Sequence, residues 1–168
     1  MGFKLGTVGG KSALIKDDHY FDVSSLSNGA ISSDSVEALK FQSELSELYD
    51  TLSEENATGN LSEIELGNPV PKSPNCYAVG LNYRKHAEES GMDIPEVPMI
   101  FTKHTSCFVG PKANVEMRSD YVDWEVELVV VIGKEGKNIS KENALEHVAG
   151  LCVGQDISDR PTQFATTP

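Results

Sequence analysis

Val122-Asp123-Trp124-Glu125-Val126-Glu127-Leu128-Val129-Val130-Val131-Ile132 is the stretch that decides how this chain folds. It is rich in β-branched residues and is closed by Gly133, so it reads as one strand over residues 122–132. Side chains alternate faces along a strand. Asp123, Glu125 and Glu127 therefore share one face, which continues into Val129 and Val131; Trp124, Val126, Leu128 and Val130 share the other. Carboxylates two residues apart at the edge of a core repel one another, and burying them is costly unless something positive neutralises them. A hard divalent cation such as Mg²⁺ or Mn²⁺ prefers carboxylate oxygens and would do so. The same pattern also fits the wet face of an edge strand, where charged residues are commonest. The strand alone leaves both readings open.

Upstream, Asn82-Tyr83-Arg84-Lys85-His86-Ala87-Glu88-Glu89 lies in a segment, Tyr83 to Ser90, that reads as a short helix closed by Gly91. His86 and Glu89 are three apart and lie on one helix face. A carboxylate beside an imidazole fixes its tautomer and raises its basicity, which suits a general base near neutral pH. An exposed helix with an incidental His and acid has the same spacing. Downstream, Val148 to Val153 is apolar and leads through Gly154 and Gln155 to Asp156, followed by Ile157-Ser158-Asp159-Arg160. Asp156 thus stands at a strand end, and Arg160 can grip a substrate carboxylate with two donors. A surface turn with a salt bridge is the plainer alternative.

The whole chain has 168 residues, a formal charge of −12 and 39% apolar residues. That is an ordinary globular composition, with room for one domain and a small extra one. The longest unbroken aliphatic run, Leu128 to Ile132, is far short of the roughly 20 residues that cross a bilayer, so no membrane partner is expected. No basic stretch followed by an apolar core opens the chain, so no secretory signal is expected. A pI near 4.7 argues against nucleic acid, whose binding needs clustered Lys and Arg. Cys76, Cys107 and Cys152 form no C-x-x-C pair, which disfavours a zinc cage. Three scattered thiols fit a reducing compartment, and the expectation is a cytoplasmic protein.

The first 30 residues read as a β-meander: Phe3 to Val8, Ala13 to Ile15 and His19 to Val23, turned at Gly9-Gly10 and Asp17-Asp18. Residues 34–55 carry a helical stripe of Val36, Leu39, Leu45, Leu48, Tyr49 and Leu52, with Asp34 near its start. Residues 34–66 hold nine acids against one Lys, which reads as a solvated face. Three prolines within residues 67–75 make a stiff, extended link. This divides the chain into residues 1–70 and residues 71–168. Met99 to Thr102 is a further short strand, and Lys141 to His147 a helix with Ser140 as its N-cap.

Several of these runs, in this order, resemble one family. They are Gly80 to Gly91 with His86 and Glu89, Pro98 to Lys103, Gly110-Pro111, Asp123 to Leu128, Val131 to Lys134, and Asp156 to Arg160. Together they are similar to the fumarylacetoacetate hydrolase family over residues 76–163. The resemblance implies an α+β, mainly β fold: a distorted β-roll, incomplete here, preceded by a small β-rich domain over residues 1–70. It also implies that family members continue for about a hundred further residues. By motif, Glu125, Glu127 and Asp156 fall on the ligands of a Mg²⁺ or Mn²⁺ ion. His86 and Glu89 fall on the dyad that activates water. Arg160 and Gln163 fall on an R-x-x-Q motif that contacts substrate.

The chain departs from the name-giving enzyme at Val79, where an additional acidic ligand is found, and at Pro161, where the motif often has Asp. The implied reaction is metal-dependent hydrolysis of a C–C bond in a small 2,4-diketo acid. The alternatives are decarboxylation or lyase chemistry on oxaloacetate at the same site, or an inert fragment that keeps weak metal binding. A small keto acid is the expected partner, and a homodimer is expected of a full-length form.

Overall fold

The computed structural model describes residues 2–165. It is mainly β. Strands β1 (Leu5–Val8), β2 (Lys11–Lys16) and β3 (His19–Asp22) form the expected meander. Two short strands, β4 (Gly59–Asn60) and β5 (Leu66–Gly67), extend it to a five-stranded antiparallel sheet in the order β4-β3-β2-β1-β5. Val8 faces Lys11 across a two-residue turn in which Gly9 and Gly10 have φ of 57° and 78°. Both values lie in the left-handed region, the geometry of a type I′ hairpin, which glycine adopts without strain.

Four helices are short: α1 (Val23–Leu26), α2 (Ser35–Ala38), α4 (Arg84–Glu89) and α5 (Arg160–Phe164); α3 (Gln42–Asp50) is longer. The stripe predicted over residues 34–55 is one helix in the sequence reading but two in the structure, joined by a 3₁₀ turn at Leu39–Phe41. The cause is in the spacing. Leu39 and Leu45 are six residues apart, which a continuous α-helix would place about 240° around its axis. The kink at Phe41, with φ −112° and ψ 46°, returns Leu45 to the core. Asp34 starts α2 by accepting from the Val36 and Glu37 amides at 2.9 and 3.3 Å. Lys16 Nζ, reaching from β2, donates to the Leu52 carbonyl at 2.9 Å and so satisfies an orphan acceptor beyond α3. The core is Leu14, Phe21, Val23, Ile31, Ala38, Leu45 and Leu52, all within the first 52 residues.

The remaining strands pair two by two: β6 (Cys76–Gly80) with β7 (Met99–Lys103), β8 (Val122–Asp123) with β11 (Ser158–Asp159), and β9 (Val126–Ile132) with β10 (Val148–Gln155). The strand predicted over residues 122–132 is therefore interrupted at Trp124 and Glu125. There the Asp123 carboxylate accepts the Trp124 amide at 2.9 Å, a donor that points away from the partner strand because Glu125 and its odd-numbered neighbours make the cross-strand bonds. The register nevertheless runs through. Gln155 faces Val126 and Ser158 faces Asp123, which sets Asp156 opposite Glu125, and the Asp156 amide donates to the Glu125 carbonyl at 2.8 Å.

Residues 141–147 form a 3₁₀ helix, and Ser140 makes no side-chain cap to its backbone. Helix α4 ends as its Gly91 predicts. Gly91 has φ 65°, and the Gly91 and Met92 amides donate back to the Glu88 and Ala87 carbonyls at 3.2 and 2.9 Å, a Schellman closure. Among the described residues no helix is long and apolar enough to cross a membrane.

Candidate functional site

The site is built on β8 and β9 and on the strand end at Asp156. Residues facing one another across the ladder, and residues two apart along a strand, share a face. Asp123, Glu125, Glu127 and Asp156 thus line one side of the β8–β9/β10–β11 ribbon. This is its more covered side: Asp123, Glu125, Glu127, Cys152, Gly154 and Asp156 are all partly buried, whereas Trp124, Val126, Leu128, Leu151 and Val153 are exposed. Burial also pushes the Cys152 thiol up, so this thiol is not an activated nucleophile.

Gly154 stands opposite Glu127. A Cβ at this position would come within 2.8 Å of Val129 Cγ2, so the glycine gives the Val129 side chain its room.

Two cations meet the four acids. Arg160, at the start of α5, donates from Nε and Nη2 to Asp123 Oδ2 at 3.0 and 2.7 Å. Its Nη2 also pairs with Glu125 Oε1, and its Nη1 donates to Gln163 Oε1 at 2.8 Å. These hydrogen bonds hold the Asp123 carboxyl below the usual carboxylate range and raise the Arg160 guanidinium. Lys103, at the end of β7, sets its ammonium 2.7 Å from both oxygens of Asp156 and 5.4 Å from the centre of the Phe101 ring. Against four carboxylates, two cations leave the group at a formal −2. Glu127 has no ion-pair partner among the described residues.

The structure thus brings Glu125, Asp156, Arg160 and Gln163 together, with Glu127 one pleat further along. His86 and Glu89 make no hydrogen bond or ion pair with these acids among the described residues. Helix α4 follows the Gly80 end of β6, and Gly80 pairs with Met99, whereas Lys103 pairs with Cys76 at the opposite end of the same hairpin. Those ends are about 13 Å apart at the rise of a β-strand. Both side chains are exposed, and among the described residues no hydrogen bond joins them to one another or to the acids. Pro161 sits in the first turn of α5, with Asp159 capping the Thr162 amide at 3.1 Å. A first turn needs no amide from that position, so proline replaces the motif's acid without loss of helix.

Asp123 and Lys103 are site residues that the sequence reading did not single out. Asp123 was legible by parity with Glu125. Lys103 offered one signal, a lone cation closing an apolar strand, while its partner Asp156 lies 53 residues away.

Among the described residues, no three His, Cys, Asp or Glu side chains are gathered closely enough to hold a metal ion. The donors nonetheless suit one. Glu125, Glu127 and Asp156 offer hard oxygens on one face, and the carboxylates outnumber the cations beside them. Asp156 is instead paired with Lys103, and Asp123 and Glu125 with Arg160.

The model of the family described as "Fumarylacetoacetate (FAA) hydrolase C-terminal" matches residues 75–168, over half of the chain. The chain belongs to the fumarylacetoacetate hydrolase family. A relative from Dictyostelium discoideum, a fumarylacetoacetate hydrolase domain-containing protein 2 homolog, is 49% identical over 111 residues, covering 62% of this chain and 36% of its own. A human relative, named oxaloacetate tautomerase FAHD2A, mitochondrial, is 44% identical over 105 residues, covering 61% of this chain and 33% of its own. The solved fumarylacetoacetate hydrolase of Exiguobacterium antarcticum superposes with a TM-score of 0.72 at 26% identity, covering 98% of this chain and 58% of that one. The match thus spans about a third of the length of these curated relatives.

These relatives correct the expectation of a cytoplasmic protein, since the human and bovine tautomerases are named as mitochondrial. Cys76, Cys107 and Cys152 are all free. Unpaired thiols argue only against an oxidising compartment and do not choose among reducing ones.

Proposed function

We propose that the chain supplies the anion-holding and metal-holding part of an enzyme site for a small 2-oxo acid of the oxaloacetate type. The proposed reaction moves a proton between C3 and the 2-oxo oxygen, the keto–enol step. The observation that carries this reading is the mixed group of Glu125, Asp156, Lys103 and Arg160 at the strand ends, where two cations stand among carboxylates. The naming of the relatives at 44% identity as oxaloacetate tautomerases supports it, and points the compartment to the mitochondrion.

In this reading Glu125, Glu127 and Asp156 hold Mg²⁺ or Mn²⁺, which when bound supplies Lewis-acid polarisation of the 2-oxo group. Arg160, steadied by Gln163, pairs with a substrate carboxylate. His86 takes the proton from C3, and Glu89, one turn along α4 on the same helix face and not hydrogen-bonded to it in this structure, is the carboxylate that would orient its imidazole when substrate is bound.

Hydrolysis of a C–C bond in a 2,4-diketo acid is a second reading, favoured by the name of the matched family. There His86 would take its proton from water instead, and decarboxylation of oxaloacetate needs no such water.

The test is stopped-flow absorbance of the oxaloacetate enol, in parallel with cleavage of acetylpyruvate, using the purified chain and MgCl₂. Faster enol decay that needs Mg²⁺ and is lost in Glu127→Gln and His86→Ala is the expected result. Cleavage of acetylpyruvate without enol catalysis selects the second reading. A folded chain that accelerates neither reaction removes both.

A further inference from the structure

We infer that Lys103 is an internal counter-ion which a divalent metal must displace from Asp156 before the carboxylates can gather around the ion. The inference rests on the metal reading above and deepens it by naming what holds the site open. Lys103 Nζ lies 2.7 Å from Oδ1 and 2.7 Å from Oδ2 of Asp156. An ammonium placed evenly between both oxygens occupies the ground that a cation would take. A metal ion would approach those oxygens to about 2.1 Å, bringing two positive centres onto one carboxylate. They repel, so one of them has to leave.

The geometry lets Lys103 be the one that goes. Its Cα is fixed by pairing with Cys76 at the end of β7, but its head is carried on a four-carbon stem with little torsional preference. Arg160 is less free to move, because Asp123 and Gln163 keep hold of its guanidinium when Glu125 is withdrawn. Lys103 is thus a positioning residue with two states. Without metal it neutralises Asp156 and ties the β6–β7 hairpin to the ribbon. With metal bound it is released.

The exchange makes a prediction with a counter-intuitive sign. Removing a side chain at the heart of the site should strengthen metal binding. Mn²⁺ is titrated into the full 168-residue chain, with free ion followed by electron paramagnetic resonance, and the rise in melting temperature on adding Mg²⁺ is read in parallel. Lys103→Met is expected to bind Mn²⁺ roughly tenfold more tightly than the parent. Its melting temperature should be lower without metal and should rise further on metal addition. Lys103→Arg, which keeps the charge, should bind as the parent does, and Asp156→Asn should lose the ion. Lys103→Gln repeats the comparison if the Met variant does not fold. Equal or weaker binding in Lys103→Met, with binding still lost in Asp156→Asn, overturns the exchange and leaves the metal reading standing. No binding by any variant, parent included, removes both.

Discussion

In the five-stranded sheet and its helices, Leu14, Phe21 and Leu45 are 0%, 1% and 0% exposed; in the β9–β10 pair, Val126, Leu128, Leu151 and Val153 are 62%, 55%, 63% and 77% exposed. The first region packs apolar side chains from both a sheet and a helix stripe into one core. The second has its apolar face bare and its acidic face only partly covered. Beyond residue 52, Ala87 is the one buried apolar residue among those described. Burial of apolar surface is the dominant stabilising term in a fold. Most of that term among the described residues therefore belongs to the first region. The ribbon that carries the site is held by ladder hydrogen bonds and by ion pairs of Lys103 and Arg160 with the acids. Lys103 accordingly ties the β6–β7 pair to the ribbon through Asp156.

The contrast can be broken most decisively by truncation. Phe21→Ala should destabilise the chain by about 3–5 kcal/mol, whereas Leu128→Ser should change stability by no more than about 0.5 kcal/mol, both read from urea denaturation. Comparable losses in the two variants would mean that the β9–β10 face is covered in solution.

Gly154→Ala should act within the ribbon. Its new methyl meets Val129 at 2.8 Å, and overpacking of this kind costs about 1–3 kcal/mol. Amide exchange should quicken in β9 and β10 and stay unchanged in β2 and β3. Uniform quickening would show that the two regions unfold as one unit.

The smallest effect is in acid. Hydrogen bonds from the Glu37 and Val36 amides hold the Asp34 carboxyl low, and those from Arg160 do the same for Asp123. A carboxyl depressed in the folded state stabilises above its unfolded pKa of about 3.9, and this stabilisation fades as pH falls through the lower folded value. Asp34→Asn keeps a capping oxygen but not the charge, so its melting temperature should fall less steeply than the parent's below about pH 4. Asp123→Asn should flatten the same slope, with the loss reported by exchange in β8 and β11. Parallel curves for parent and both variants would deny either carboxylate a part in acid stability.

Much of this arrangement was legible beforehand because it is local. Gly9-Gly10 and Asp17-Asp18 mark hairpins by backbone conformation, Gly91 marks a helix end, and strand parity puts Glu125 and Glu127 on one face. The break at Trp124 and Glu125 was hidden, because nothing in the alternation of residues 122–132 marks where pairing thins. The split at Leu39–Phe41 was present in the spacing of Leu39 and Leu45, but a count of apolar positions does not register phase. Lys103 ended a motif run, but its partner was hidden for another reason. A lysine closing an apolar strand looks like any chain that keeps its charge in water, and only tertiary packing supplies Asp156. The family was readable from motif order, while the compartment was not, since thiols report redox conditions and carry no address.

The interruption at Trp124 and Glu125 has a mechanical consequence. The ladder resumes in unchanged register on either side, so the two flanks act as clamps around a short compliant span. Glu125 and Asp156 ride on that span, joined through the bond from the Asp156 amide to the Glu125 carbonyl. Their oxygens can shift toward an incoming ligand while the hydrogen-bonded flanks stay in place.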